Sequence, residues 1–352
     1  GRWCIMAVES ISSGNWSTDA ASCWDSGSRP GDADDVIIKD GHNITISQDE
    51  RANSVTIEDN ATLTISGTRT IVIDGKDGSS YSFRAISGST ISGTLNVKVE
   101  GDGGYISEQG TNSINDLEVD LDSSSEVHYL DADLSITGNL TITEGIFNTN
   151  GSSNRALTVA GTTTIGDGSA SATEATLTCN NSDVSLGSGM TSGYAVIIEV
   201  GGFFNGGTGT HTMGSFKIGA DNALAKATLT TGTTNINAKS NDSNKAFRIA
   251  GSSATFSHPT NGTILMNYSG ASSIQTSTKS LYNLTLNHAS CDVTLVDALT
   301  VANNLTITAG TLDTDSSNNY ALTVTGQCNV NGGTLTLNGS TCDFGDVAFS
   351  SG

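Results

Sequence analysis

A chain of 352 residues, 36% hydrophobic and 14% charged, has room for one long repeat array or two compact domains, and both fractions lie below those of ordinary soluble proteins. Its 15 Lys and Arg against 36 Asp and Glu give a formal charge of −21, which repels phosphate and anionic lipid; this excludes nucleic-acid binding and docking on an acidic membrane. Thr, Ser, Asn and 41 Gly make up the difference, with only two prolines, Pro30 and Pro259. That mixture suits strands and tight turns better than helices, because Ser, Thr and Asn compete for backbone hydrogen bonds. Val, Ile, Leu and Thr recur with period two along nearly the whole length, which argues against disorder.

In chain order, the opening GRWCIMAVES lacks the basic-then-apolar layout of a secretory leader. It begins with Gly, as a processed product or a fragment does, and Met6 is a candidate natural start. Trp3, Trp16 and Trp24 are all the tryptophans, and they gather in residues 1–34. This segment is expected to cap one end of an array, where bulky rings cover exposed core. From residue 35 short strands are predicted at about ten-residue spacing: Asp35–Lys39, Asn43–Ser47, Ser54–Glu58, Ala61–Ser66 and Thr70–Asp74. Asp-Gly, Asn-Gly and Gly-Gly steps between them supply the positive φ of tight turns. No stretch carries a capped 3.6-residue period; DNALAKA, 221–227, makes a helical turn at most. GGFFNGGTGT, 201–210, has no Lys after its glycines as a phosphate loop does, and reads as a flexible turn with Phe203 and Phe204 packing inward. No apolar run reaches the roughly 18 residues of a membrane span, so insertion is not expected. The end, DVAFSSG, has no cap, so the array is expected to run on past residue 352.

An internal duplication organises the chain. LSITGNLTITEGIFNTNGSSNRALTVAG from Leu134 matches LTVANNLTITAGTLDTDSSNNYALTVTG from Leu299, and INDLEVD at Ile114 matches LYNLTLN at Leu281. The paired segments are 114–166 and 281–332, with a weaker echo from Asn60. In NLTIT, Leu and Ile point one way and Thr the other. Coils of roughly 20–30 residues stacked about 4.8 Å apart bury an aliphatic column and range Thr and Asn outside. The predicted fold is therefore all-β, a right-handed parallel β-helix (β-solenoid) over 35–352; tandem β-sandwiches are the alternative, since they share the alternation.

Residues 14–46, GNWSTDAASCWDSGSRPGDADDVIIKDGHNITI, carry Gly-Asn-Trp, a second Trp, Pro-Gly, an Asp-rich turn and a Val-Ile strand. This opening resembles that of bacterial and phage repeat proteins and the start of the eight-glycine domain of cell-surface proteins. LYNLTLN and NLTITAGTLDT resemble repeats of β-helical adhesins and phage virion proteins. The resemblance implies an extracellular, cell-surface or virion location and a structural or adhesive role, with glycan or other surface subunits as partners. It implies no catalytic residue. Trimeric fibres are frequent in such proteins, so a homo-oligomer is open, although no heptad stalk is present.

Candidate chemistry is sparse. Asp74 and Asp77 in DGKDGSS, Asp313 and Asp315, and the GDADD run of Asp32, Asp34 and Asp35 are oxygen-rich turns of the kind that hold Ca²⁺, the one cofactor considered. None matches an EF-hand or the glycine-rich Ca²⁺ nonapeptide, and Asp as a turn residue is the competing reading. A polysaccharide-cleaving enzyme needs paired carboxyls about 5–9.5 Å apart; Glu58, Glu100, Glu118, Glu144 and Glu199 lie in or beside strands, but no pair is singled out. The five histidines, His42, His128, His211, His258 and His288, form no metal or triad motif and read as surface or turn residues. Thr-x-Thr steps such as Thr62–Thr64 and Thr306–Thr308 raise ice binding as a third reading, against the ordinary preference for outward Thr on strands. Of six cysteines, Cys4 with Cys23 and Cys328 with Cys342 are near enough in sequence to form disulfides at the two ends, buried free thiols being the alternative. A structural or adhesive solenoid is the leading expectation, and an enzyme is disfavoured.

Overall fold

A computed structural model describes residues 7–109, 112–169, 172, 174–188, 190, 193–238 and 244–349. Two compact units make up the chain, Gly1–Thr158 and Val159–Gly352. Both are β-solenoids. The one helix among the described residues is a single turn, Ala20–Cys23, and no helix is long and apolar enough to cross a membrane. Residues 221–225 of the DNALAKA stretch form a turn closed from the Ala225 N–H to the Asn222 carbonyl at 3.1 Å, and Lys226–Thr228 already lies in a strand.

In Gly1–Thr158 each coil lays down strands on three faces. The first face runs Ala7–Glu9, Asp35–Ile38, Ser54–Ile57, Tyr81–Ala85, Tyr105–Glu108 and Val127–Leu130, all parallel. The second stacks Gly14–Asn15, Asn43–Ile46 and the starts of Thr62–Ile73 and Thr90–Val99. The third stacks Glu50–Ala52, the ends of those two long strands, Leu117–Asp120 and the start of Leu140–Asn148. Sandwiches are built from antiparallel hairpins; here the ladders between strands are parallel, so the sandwich alternative falls. The predicted capping segment contributes strands to the stack itself, since Ala7 already pairs with Asp35.

The second unit repeats the plan. One face stacks Thr163–Ile165, Val196–Ile198, Phe216–Ile218 and Lys245–Ile249. Another stacks Val184–Leu186, His211–Met213, Thr233–Ile236, Thr263–Met266 and the start of Asn283–Leu295. The remaining face carries Ala175–Thr178, Gly202–Asn205 and Lys226–Thr228. Gly202–Asn205 corrects one expectation: it is a strand, not a turn. Period two then sends Phe204 into the core, fully buried, and leaves Phe203 on the other side.

Register makes the core. Val36, Val55, Phe83 and Ile106 stand above one another, as do Ile73, Val99, Val119 and Ile142, all fully buried. In the second unit Ile264, Leu284, Leu305 and Cys328 form such a column. Each buried aliphatic side chain stabilises by about 1.5–3 kcal/mol. Cys328 fills an aliphatic place as a small apolar group.

Coil length varies while register holds. Asp35 pairs with Ser54, 19 residues on, whereas Thr233 pairs with Thr263, 30 residues on. Long strands take their corners on glycine: Gly93 has φ +107° inside Thr90–Val99, and a Cβ there would stand 2.5 Å from the Ile65 carbonyl oxygen. The duplicated segments fold alike, with Leu134–Ile136 and Leu140–Asn148 answering to Leu299–Val301 and Leu305–Asp313. Asparagine supplies many of the left-handed turn residues, among them Asn60, Asn150, Asn180, Asn261 and Asn319, which accounts for part of its abundance.

Near the N-terminus Trp16 and Trp24 are buried edge-to-face with ring centroids 5.1 Å apart, and the Trp24 indole N–H donates to the Trp16 carbonyl at 3.0 Å. Trp3 lies outside the described residues. Glu50 is buried against the same segment, its carboxylate accepting from Arg29 Nε at 2.9 Å, Arg29 Nη2 at 2.7 Å and Ser17 Oγ at 2.6 Å. Burial still holds Glu50 above the usual carboxylate range despite Ser17 and Arg29. Arg29→Ala is therefore expected to destabilise the protein by about 1–3 kcal/mol, limited by the readiness of Glu50 to take a proton. Urea midpoints at pH 7 and pH 5 check this, and the deficit is expected to shrink at the lower pH.

Candidate functional site

The outer surface is tied from coil to coil. Thr64 Oγ1 donates to Asn43 Oδ1 at 2.8 Å and Thr143 Oγ1 to Asp120 Oδ1 at 2.7 Å. In the second unit Thr308 Oγ1 donates to Asn287 Oδ1 at 2.7 Å and Asn303 Nδ2 to Asn283 Oδ1 at 2.9 Å. The outward rank Thr212, Asn235, Leu265, Thr285, Thr306 and Asn329 follows one line of register, and it is not uniform threonine.

Charged groups concentrate on the third face of Gly1–Thr158. Lys98 Nζ lies 2.9 Å from Glu100, 3.0 Å from Glu118 and 2.8 Å from Asp120, and Arg51 joins Asp74 to Glu100. Burial opposes the Lys98 charge, but Asp120, Glu100 and Glu118 together hold the ammonium above its ordinary range. Three of the carboxylates considered for hydrolysis are thus engaged by cations, for Glu58 pairs with Lys39 at 2.8 Å. Glu144 stands in register with Asp120, and Glu199 lies against Gly219.

Asp74, Asp77, Asp313 and Asp315, four of the aspartates considered for Ca²⁺, accept from protein donors. Asp74 meets Arg51. Asp77 Oδ1 accepts the N–H groups of Ser79 and Tyr81, both at 2.8 Å. Asp313 Oδ1 accepts from the Asp315 N–H at 2.8 Å and from Asn338 Nδ2 at 2.7 Å, and Asp315 accepts from the Ser317 N–H and from Asn318 Nδ2, both at 2.8 Å. Asx-turn hydrogen bonding is the work the structure gives three of them. Among the described residues no three His, Cys, Asp or Glu side chains gather in a metal-binding group. Of the cysteines considered for disulfides, Cys4 lies outside the described residues, and Cys23, Cys328 and Cys342 are free thiols.

Two histidines overturn their expected surface or turn positions. His128 and His211 are fully buried, because alternation in VHYL and HTM puts them on the inward side with Leu130 and Met213. Burial, aided by Lys76, lowers His128 to about 3, and burial lowers His211 to about 4 although Asp183 opposes it. Both are neutral at pH 7, and neither reaches the outer surface.

A groove in the first unit was not singled out by sequence reasoning. Tyr81, Tyr105 and Tyr129 stand in register on successive strands of the first face and stack outward, with centroids 5.8 and 5.4 Å apart. Arg84 covers the Tyr81 ring at 4.7 Å, and the Tyr81 hydroxyl donates to Asp131 Oδ2 at 2.7 Å. Beside the stack, three corner loops bring Lys76, Ser80, Asp102, Gly103, Gly104 and Glu126 around a groove of about 400 Å³. A Cβ on Gly103 would lie 2.2 Å from the Val127 carbonyl oxygen, so the floor can only be glycine. Lys76 Nζ donates to the Gly103 carbonyl at 2.6 Å. Burial, with Asp102 and Asp122 alongside, holds Glu126 above the usual carboxylate range. The signal open to sequence reasoning was a tyrosine recurring every 24 residues, each behind a turn of acidic residues with Gly or Ser.

No protein-family model, curated protein or solved structure matches this chain.

Proposed function

We propose that this protein is a structural and adhesive β-solenoid of a cell or virion surface, which binds glycan through its outer faces. The observation that carries the reading is the set of coil-to-coil hydrogen bonds among outward Thr, Asn and Asp side chains. Such side chains are held in place before a ligand arrives, so less rotamer freedom is lost on binding. Their repeat follows the strand spacing of about 4.8 Å, a regular array of donors and acceptors suited to a polymer of polyols. The test is depletion of the protein from solution by insoluble cellulose, chitin and xylan. Retention on at least one is expected, and retention on none would remove the glycan from the reading.

One observation favours a second reading, a glycan-cleaving enzyme: Asp102 and Glu126 share a groove with two tyrosines. A carboxyl raised above its ordinary range suits a general acid. Release of reducing ends in the same incubations, lost in Glu126→Gln, would establish the enzyme over the adhesin.

A further inference from the structure

Within the glycan-binding reading, we propose that the groove between the tyrosine stack and the corner loops of the first unit is a sugar subsite that takes a neutral or amine-bearing pyranose and rejects uronates and sulfated sugars. Four features of the groove point there.

Size comes first. At about 400 Å³ the groove is in the range of small-molecule sites, roughly 300–1,000 Å³, and has room for a pyranose ring. The second feature is the tyrosine stack. Tyr105 and Tyr129 stack face to face and Tyr81 is tilted against Tyr105, so the stack offers edges and hydroxyls to a ligand rather than a flat platform. The Tyr81 hydroxyl is engaged by Asp131, whereas those of Tyr105 and Tyr129 carry no protein hydrogen bond among the described residues, and both residues line the groove.

The third feature is Glu126. Its Oε2 is enclosed and meets no protein donor, and an enclosed acceptor left unpaired is costly. A turn of the side chain toward the groove lets a ligand hydroxyl or ammonium supply the missing donor. The fourth is charge. Asp102 and Glu126 outnumber the single cation Lys76, whose ammonium is already bonded to the Gly103 carbonyl. The surrounding chain carries −21. A carboxylate or sulfate entering the groove would face two like charges against one cation.

The experiment is titration of the intact protein with cello-oligosaccharides, chitosan oligomers and oligogalacturonate, read by calorimetry at pH 7. Binding of the first two and none of the third is expected. Glu126→Gln is expected to weaken chitosan oligomers about tenfold, the size of a charge-assisted hydrogen bond. Tyr105→Phe and Tyr129→Phe keep the stack and are expected to weaken both ligands about threefold. Unchanged circular dichroism of the variants guards against a folding defect. Equal binding of oligogalacturonate overturns the proposal. Sugar binding that none of the three variants alters overturns it too, but leaves the adhesive reading standing on the other faces. Failure to bind any soluble or insoluble glycan removes both.

Discussion

Acidification from pH 7 to pH 4 is expected to destabilise the second unit more than the first. His211 is fully buried against Phe204, at 5.6 Å between ring centroids, and burial lowers it to about 4. His258, whose Nδ1 accepts from the Tyr282 N–H at 2.8 Å, is likewise lowered to about 4 by burial. An unfolded histidine titrates near 6.5. Between that value and 4 the unfolded chain binds more protons than the folded one, so stability falls as pH falls. One pKa unit corresponds to about 1.4 kcal/mol, so His211 alone removes roughly 3 kcal/mol by pH 4.

In the first unit His128, lowered to about 3, acts in the same sense, but Glu108 acts against it. Glu108 is buried, and burial raises it to about 7 although the Ser135 backbone opposes this. A carboxyl raised on folding contributes stability that is complete below its unfolded value near 4.3 and is lost as pH rises to 7. Its gain on acidification, again roughly 3 kcal/mol, offsets the loss at His128. Urea unfolding followed by circular dichroism at pH 7, 5.5 and 4 checks the expectation. His211→Leu is expected to flatten the dependence by about 3 kcal/mol, and Glu108→Gln to steepen it. A His211→Leu variant with the wild-type pH slope would contradict the assignment.

Phe216→Ala is expected to destabilise the protein by about 3–5 kcal/mol, the range for truncating a buried aromatic. Phe216 is fully buried in register between Val196 and Phe247; it stacks on Phe247 at 5.2 Å and meets Phe204 edge-on at 6.3 Å. Neighbouring strands are fixed by their ladders and cannot close over the hole. In a stack where each coil touches mainly its neighbours, the damage stays local. Hydrogen exchange is expected to quicken in Val196–Ile198 and Lys245–Ile249 and to remain unchanged in Asp35–Ile38. Uniform acceleration along the chain would show that the stack unfolds as one cooperative block.

The solenoid was legible because period two and turn residues act locally. Three of the five early strands lie where alternation put them, and the other two, Ala61–Ser66 and Thr70–Asp74, run together as Thr62–Ile73 because the corner at Gly67, φ +82°, kinks the strand without ending it. Alternation also held the answer for His128 and His211, which were misplaced because residue type was weighed above position. The groove was harder to see. Tyr105 and Glu126 are 21 residues apart in sequence, and only the coil lengths, set by loops without periodicity, bring them side by side.

Loops at the corners have a wider consequence. Steps of 19 and 30 residues are absorbed with no change in which column a strand feeds. Framework and decoration are therefore separate inheritances: mutation can lengthen, shorten or rewrite a bend while leaving the scaffold's backbone untouched. Diversity between relatives should accumulate at such bends, and any change in what the surface recognises is more readily reached there than on the flat walls.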